Sequence, residues 1–160
     1  MQLRKATEKD AEQIAQVLIS FYNMNLEEAK NTFLDETKKN RNYIVVEDNS
    51  KIIGLVTWLM HGLPKHMLAE LDRIVILPEA RSKGLGKRLV DELIKDANEV
   101  YEKSKFKLRK LYILTHADNK EAHAFYEKVG FKHETTLKNH YYKGKDEFVY
   151  SMFFDWNIHF

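Results

Sequence analysis

A chain of 160 residues with 26 lysine and arginine against 24 aspartate and glutamate side chains carries a formal charge of +2. That balance is too small to imply a polyanion-binding surface, so any anion site must be local, and nucleic acid is not an expected partner. The absence of cysteine excludes disulfides, thiolate catalysis and cysteine-ligated metals, and leaves the redox compartment undetermined.

Leu3 to Ala6 reads as a first strand. Thr7, with Asp10 three positions on, caps a helix expected from about Lys9 to Tyr22, with Ile14, Val17, Leu18 and Phe21 at helical spacing. "NLEEAKNTFLDETKKN" gives a second helix, with Leu26, Ala29, Phe33 and Leu34 on one side. The period then changes. "NYIVVED" and "KIIGLVTWLM" are β-branched runs separated by "DNS", the pattern of a hairpin. "HGLPKH" is a loop, and "MLAELDRIVIL" is a strand apolar enough to lie inside a sheet. The next helix carries Leu85, Leu89, Leu93 and Ala97 at every fourth place. "KLYILTHA" is a strand, "NKEAHAFYEKVG" a short helix ending at Gly130, and "FKHETTL" with "DEFVYSMFFDW" a final strand pair. Parallel neighbours follow from the strand–helix alternation and antiparallel ones from the hairpins. The expectation is one α/β domain over residues 1–160, with a mixed central sheet of about six or seven strands and helices on both faces. The N-terminus "MQLRKATEKDAEQ" lacks the apolar stretch of a signal peptide. The longest run free of Lys, Arg, Asp and Glu, Ile52 to Pro64, falls short of the ~20 residues of a membrane span. A cytoplasmic protein with no membrane partner is expected.

Between the fourth predicted strand and its helix lies a turn with Arg81, Lys83, Gly84, Gly86, Lys87 and Arg88. Two phosphate motifs can be set aside. Gly86-Lys87 is followed by Arg88 rather than Ser or Thr, and Gly84-x-Gly86-x-x by Leu89 rather than a small residue. What remains is a helix N-terminus whose first amides lack intrahelical partners, with glycines that admit a ligand close to the backbone. Such a site suits a pyrophosphate. Solvated cations on a tight connection are the alternative reading.

The run Arg81-Ser82-Lys83-Gly84-Leu85-Gly86 resembles the Arg/Gln-x-x-Gly-x-Gly/Ala signature of the GNAT superfamily of N-acetyltransferases. Roughly thirty residues on, Asn119 followed by a helix ending in Phe125-Tyr126-Glu127-Lys128-Val129-Gly130-Phe131 resembles that family's second signature. The resemblance implies acetyl-CoA as cosubstrate and an amine as acceptor. It implies that the pyrophosphate lies on the amides of Arg81, Ser82, Lys83, Gly84, Leu85 and Gly86, with Lys87 beside them. The pantetheine arm would pair with the strand at Ile74, Val75 and Ile76 in the manner of an added strand, and Asn119 would bond it.

Acetyl transfer needs a neutral amine. A lysine-like amine, pKa ~10.4, is neutral in about one molecule in 2,500 at pH 7, a cost of roughly 4.6 kcal/mol, whereas an α-amino group costs only about 1 kcal/mol. A proton acceptor for the amine and a donor for the departing thiolate are therefore required. By resemblance, Tyr126 is the candidate acid and Glu70 the candidate base. The alternatives are a core aromatic at Tyr126 and a Glu70–Arg73 or Asp72–Arg73 surface pair. Glu70 could also serve by attracting a cationic amine. The acceptor surface would come from Phe21 and Tyr22 after the first helix and from Tyr141 and Tyr142 in the loop of residues 137 to 147. That tyrosine pair resembles the loop of peptide α-amino acetyltransferases, so a peptide N-terminus is the second acceptor class beside a small-molecule amine. A non-catalytic acyl-CoA-binding module is the third reading. No histidine pair has zinc-helix spacing, so no metal is expected, and the histidines read as surface or packing residues. The aromatic C-terminus "FFDWNIHF" either finishes the sheet or covers a second copy in a homodimer.

Overall fold

The computed structural model describes residues 1–155. The C-terminal stretch beyond Asp155, including His159, lies outside them. The elements are β1 (Gln2–Lys5), α1 (Ala11–Ile19), α2 (Leu26–Lys38), β2 (Asn42–Asp48), β3 (Lys51–His61), β4 (Leu68–Ile76), α3 (Leu85–Glu102), β5 (Lys110–His116), α4 (Lys120–Lys128), β6 (Lys132–Tyr142) and β7 (Lys145–Phe153). Seven strands hydrogen-bond in the order β1-β2-β3-β4-β5-β7-β6, the mixed sheet expected from the alternation of elements. The chain forms two compact units, Met1–Leu59 with Arg73–Asp96, and Met60–Asp72 with the chain from Ala97; both β4 and α3 contribute to each. No helix among the described residues is long and apolar enough to cross a membrane.

In the first unit, β1, β2 and β3 are antiparallel. The β2–β3 turn sets both Asn49 and Ser50 at positive φ, the conformation that matches the strands' twist. Val46 pairs with Gly54, but Glu47 pairs with Ile52, so Ile53 is an extra, bulged residue. Its carbonyl accepts the Leu77 N–H at 2.9 Å, which ties down the end of β4. Gly54 lets β4 come close there: a Cβ would stand 3.2 Å from the Val75 carbonyl oxygen, a tight contact.

Successive strand residues face opposite sides, and the helices follow. Tyr43 of β2 gives its hydroxyl to Glu36 of α2. Thr57 pairs with Tyr43, and its neighbour Trp58 donates its indole N–H to Asp96 of α3 at 2.9 Å. In this unit α2 and α3 therefore cover opposite faces. The first helix is shorter than its apolar pattern predicts. It is preceded by a 3-10 turn, Glu8–Asp10, whose Asp10 accepts the Thr7 N–H at 2.7 Å and two bonds from Arg4. It stops at Ile19, where the Ser20 hydroxyl takes the Val17 carbonyl. Phe21 and Tyr22 consequently sit in a turn rather than on a helix. Asn25 caps α2 by accepting the Glu28 N–H at 2.8 Å.

In the second unit, residues Leu68 to Glu70 of β4 run parallel to Lys110 to Tyr112 of β5, and β7 joins β5 to β6 in antiparallel ladders. Tyr101 of α3 donates its hydroxyl to the Leu68 carbonyl at 2.7 Å. Tyr126, Phe131 and Tyr150 are buried together, with ring centroids 5.7 Å and 6.2 Å from Tyr126. Residues 137 to 142, expected in a loop, continue β6. The connection shrinks to Lys143 and Gly144, the latter at φ +82°.

Two charge–partner arrangements in the first unit make measurable demands. Replacing Asp96 by alanine leaves the Trp58 indole N–H buried without an acceptor. The urea midpoint should fall by the equivalent of about 1–3 kcal/mol at unchanged m. Burial opposes ionisation of Glu36, but hydrogen bonds from Arg73 and Tyr43 outweigh it and hold the carboxyl below its ordinary range. A depressed carboxyl pKa stabilises above the unfolded value and loses that contribution as pH falls. The stability difference between native protein and Arg73→Ala should therefore be largest at pH 7, about 1–3 kcal/mol, and shrink in urea titrations below pH ~4.

Candidate functional site

The turn that leads into α3 is built by the chain's own hydrogen bonds up to Arg81 and then stops supplying them. Pro78–Ala80 is a 3-10 turn, and the Arg81 N–H bonds to the Pro78 carbonyl at 3.3 Å. The first helical bond runs from the Arg88 N–H to the Gly84 carbonyl. Among the described residues, the main-chain N–H groups of Ser82 to Lys87 have no acceptor. Ser82 and Gly84 are both at positive φ, so successive amides turn toward one side in the manner of an anion-binding nest. A Cβ added at Gly84 would meet nothing within 4 Å, so the space above the turn is open. The four cations divide. Arg81 donates Nε to the Ile76 carbonyl at 3.1 Å, bracing the strand end. Lys87 pairs with Asp91 at 2.9 Å, and Arg88 contacts the Met1 sulfur. Lys83 is exposed and has no partner among the described residues. Of β4, Val75 is buried while Ile74 and Ile76 are partly exposed.

In the second unit, Glu70 is held by two groups. His61 Nε2 lies 2.7 Å from its Oε1, and the Tyr112 hydroxyl donates to the same oxygen at 3.3 Å. Oε2 has no partner among the described residues, and the side chain is 18% exposed. The anticipated pairing with Arg73 is replaced: that guanidinium goes to Glu36 and Tyr43 in the first unit. Burial first, and then the charge and hydrogen bond of Glu70, push the Tyr112 hydroxyl pKa up. Tyr141 is raised by burial and then by the fields of Glu70, Glu147 and Asp72, which places this tyrosine among three carboxylates. His116 Nδ1 is hydrogen-bonded to Glu147, and the His116 ring is 6.4 Å from that of Tyr142. Tyr141 and Tyr142 are both well exposed.

The helix carrying the second signature is capped by its own asparagine. Asn119 Oδ1 accepts the Ala122 N–H at 3.2 Å, leaving the Nδ2 donors without a protein partner among the described residues. Tyr126, in the last turn of α4, is 6% exposed and packs on Phe125, Phe131 and Tyr150. Its core role is thus real. Phe21 and Tyr22 belong to the first unit, their rings edge-to-face at 4.9 Å, with the Arg73 guanidinium 5.5 Å from the Tyr22 ring centroid.

Sequence reasoning assigned the histidines to surface or packing. Two of them, His61 and His116, instead bind carboxylates of the second unit; His61 reaches Glu70 on the next strand, and His116 reaches Glu147 across 31 residues. Lys110 of β5 is paired with Glu134 at 2.7 Å. Among the described residues no group of three or more His, Cys, Asp or Glu side chains could hold a metal ion.

The acetyltransferase (GNAT) family model matches residues 11–131. No curated protein sequence matches significantly. Among solved structures, a GNAT-family protein from Desulfovibrio desulfuricans is 22% identical at TM-score 0.78, over 95% of this chain and 98% of that one. The ribosomal-protein-alanine N-acetyltransferase of Brucella melitensis is 20% identical at TM-score 0.73, over 96% and 100%. A variant of spermidine N-acetyltransferase from Vibrio cholerae is 22% identical at TM-score 0.75, over 96% and 95%. At such identities these structures share the fold. The family model spans most of the chain and includes both signatures, and the chain belongs to the GNAT family of acetyltransferases.

Proposed function

We propose that the protein transfers an acetyl group from acetyl-CoA to a primary amine that arrives as a cation. The observation that carries this reading is the row of unpartnered N–H groups from Ser82 to Lys87 under open space at Gly84. A pyrophosphate supplies the acceptors such a row lacks, and the helix N-terminus favours its charge. The exposed Lys83 adds attraction, while Arg81 and Lys87 keep the turn in shape through their own contacts. Main-chain groups of Ile74, Val75 and Ile76 take the pantetheine arm, and the free Nδ2 of Asn119 bonds it further.

The acceptor meets the face that carries Glu70. Two donors fix Oε1, so Oε2 is presented to an incoming ammonium group. The fields of Glu70, Glu147 and Asp72 at Tyr141 favour a positively charged amine over a neutral or anionic one. Tyr141 and Tyr142 supply aromatic faces for its carbon skeleton, with Phe21 and Tyr22 the corresponding residues of the first unit. As the C–N bond forms and the C–S bond breaks, the Tyr126 hydroxyl gives its proton to the departing sulfur. A peptide N-terminus is the second acceptor reading, favoured by the adjacent, exposed Tyr141 and Tyr142.

Release of free CoA, measured with diamines, amino acids and N-terminal peptides, tests the reading. A cationic amine should give turnover well above hydrolysis, whereas CoA binding in calorimetry without release from any amine would make the domain a binding module. Gly84→Val should weaken CoA binding at least tenfold by crowding the amide row. Tyr126→Phe should lower kcat by about 10²–10⁴-fold with little change in the KM for acetyl-CoA. Glu70→Gln should act chiefly on the KM of the amine, raising it tenfold or more.

A further inference from the structure

The most deeply buried carboxylate outside the Glu70 cluster is Glu147 of β7, 2% exposed. A charge so placed needs a partner, and the one hydrogen-bonded to it is His116 Nδ1 at the end of β5. The two residues are direct neighbours in the β5–β7 ladder, so the backbone register itself sets the contact. The His116 side chain is about half exposed. Its Nε2 has no partner among the described residues. The ring borders a cleft of about 250 Å³ with Ala117, Asp118, Gly144, Lys145 and Asp146, and Tyr142 lies beside it. Tyr112, Leu114 and His116 alternate onto one face of β5, the face where Tyr112 bonds Glu70. The two histidine–carboxylate pairs are thus on the same side of the sheet, about 13 Å apart along the strand, and Tyr141 feels both carboxylates.

Resting on the acetyl-transfer reading, we propose that His116, oriented by Glu147, is the proton acceptor that turns the bound ammonium into the nucleophilic amine, while Glu70, farther along the same face, draws the cation to it through its field. A carboxylate on Nδ1–H fixes the tautomer and leaves the Nε2 lone pair free, the division of labour of a histidine–carboxylate dyad. One proton passes from R–NH3⁺ to Nε2, giving R–NH2 and an imidazolium whose charge Glu147 offsets. The amine nitrogen bonds the acetyl carbon, and the C–S bond breaks. The Tyr126 proton goes to sulfur, and the second proton shed by nitrogen restores Tyr126. The imidazolium then gives its proton to solvent, so each turnover yields one amide, one CoA thiol and one released proton.

The test compares native protein with His116→Ala, His116→Gln and Glu147→Gln, using CoA release from the best cationic amine of the panel and CoA binding by calorimetry. His116→Ala should bind CoA as the native protein does, lose about 10²–10⁴-fold in kcat, and recover at least tenfold when free imidazole is added. Glu147→Gln should lower kcat less, and His116→Gln should be inactive without rescue, since its amide blocks the imidazole space. A kcat for folded His116→Ala within threefold of native, or a loss that imidazole leaves unchanged, overturns the dyad. If the alanine variant does not fold, His116→Gln with near-native kcat overturns it equally. Native protein that binds no CoA refutes the transfer reading itself, and the dyad with it.

Discussion

Main-chain hydrogen-bonding capacity is the constraint on which the rest depends. A backbone N–H has to find an acceptor in protein, solvent or ligand. Over most of this chain the strand ladders and helices meet that demand locally. From Ser82 to Lys87 they do not, because the helix begins only at the Arg88–Gly84 bond and two positive-φ residues turn the preceding amides away from the chain. Everything around this turn keeps it in that condition. The bulged Ile53 holds Leu77, Gly54 admits the close approach of β4, and Arg81 clamps the Ile76 carbonyl. The result is a braced frame around an unmet demand.

The carboxylates divide by what answers their charge. Arginine answers Asp10 and Glu36, with multiple hydrogen bonds and carboxyl pKa values held low. These are structural pairs, far from ambiguous. Asp96 meets Lys5 and the Trp58 indole and locks α3 to the strands of the first unit. Glu70 and Glu147 are different, because histidine answers both. An imidazole can give up or gain its charge near neutrality where a guanidinium cannot. The chain thus sets arginine against Asp10 and Glu36 and histidine against Glu70 and Glu147.

Much of this was legible in the amino-acid sequence, for reasons that are local. The β-branched runs around "DNS", the fourfold spacing of leucines in α3 and the short helix ending at Gly130 are all set by residues within a few positions of one another. So are the two glycine-bearing signatures that placed the chain in its family. What escaped depends on register. Glu70 meets Tyr112 across 42 residues and His116 meets Glu147 across 31, and no pattern along the chain announces which residues a ladder will set side by side. The early stop of α1 also escaped, since Phe21 keeps the apolar period while the Ser20 hydroxyl ends the helix. The strand character of residues 137 to 142 was hidden by lysine, asparagine and histidine, which read as loop but suit an exposed strand. Tyr126 shows that two readings can coincide: it is packed as a core aromatic and sits where the family signature puts a tyrosine.

The last strand of the sheet order carries one more lesson. β6 has β7 on one side only, and an open border of that length is a template on which further chains could zip up. Its ladder slips between His133 and Thr135, which makes Glu134 a supernumerary residue free to reach Lys110. It slips again between Leu137 and Tyr142. With Lys132 and Lys138 exposed along it, the outermost strand is uneven and charged, a poor surface for amyloid-like stacking, so the irregularities that complicate its geometry also guard the chain against self-association by strand addition.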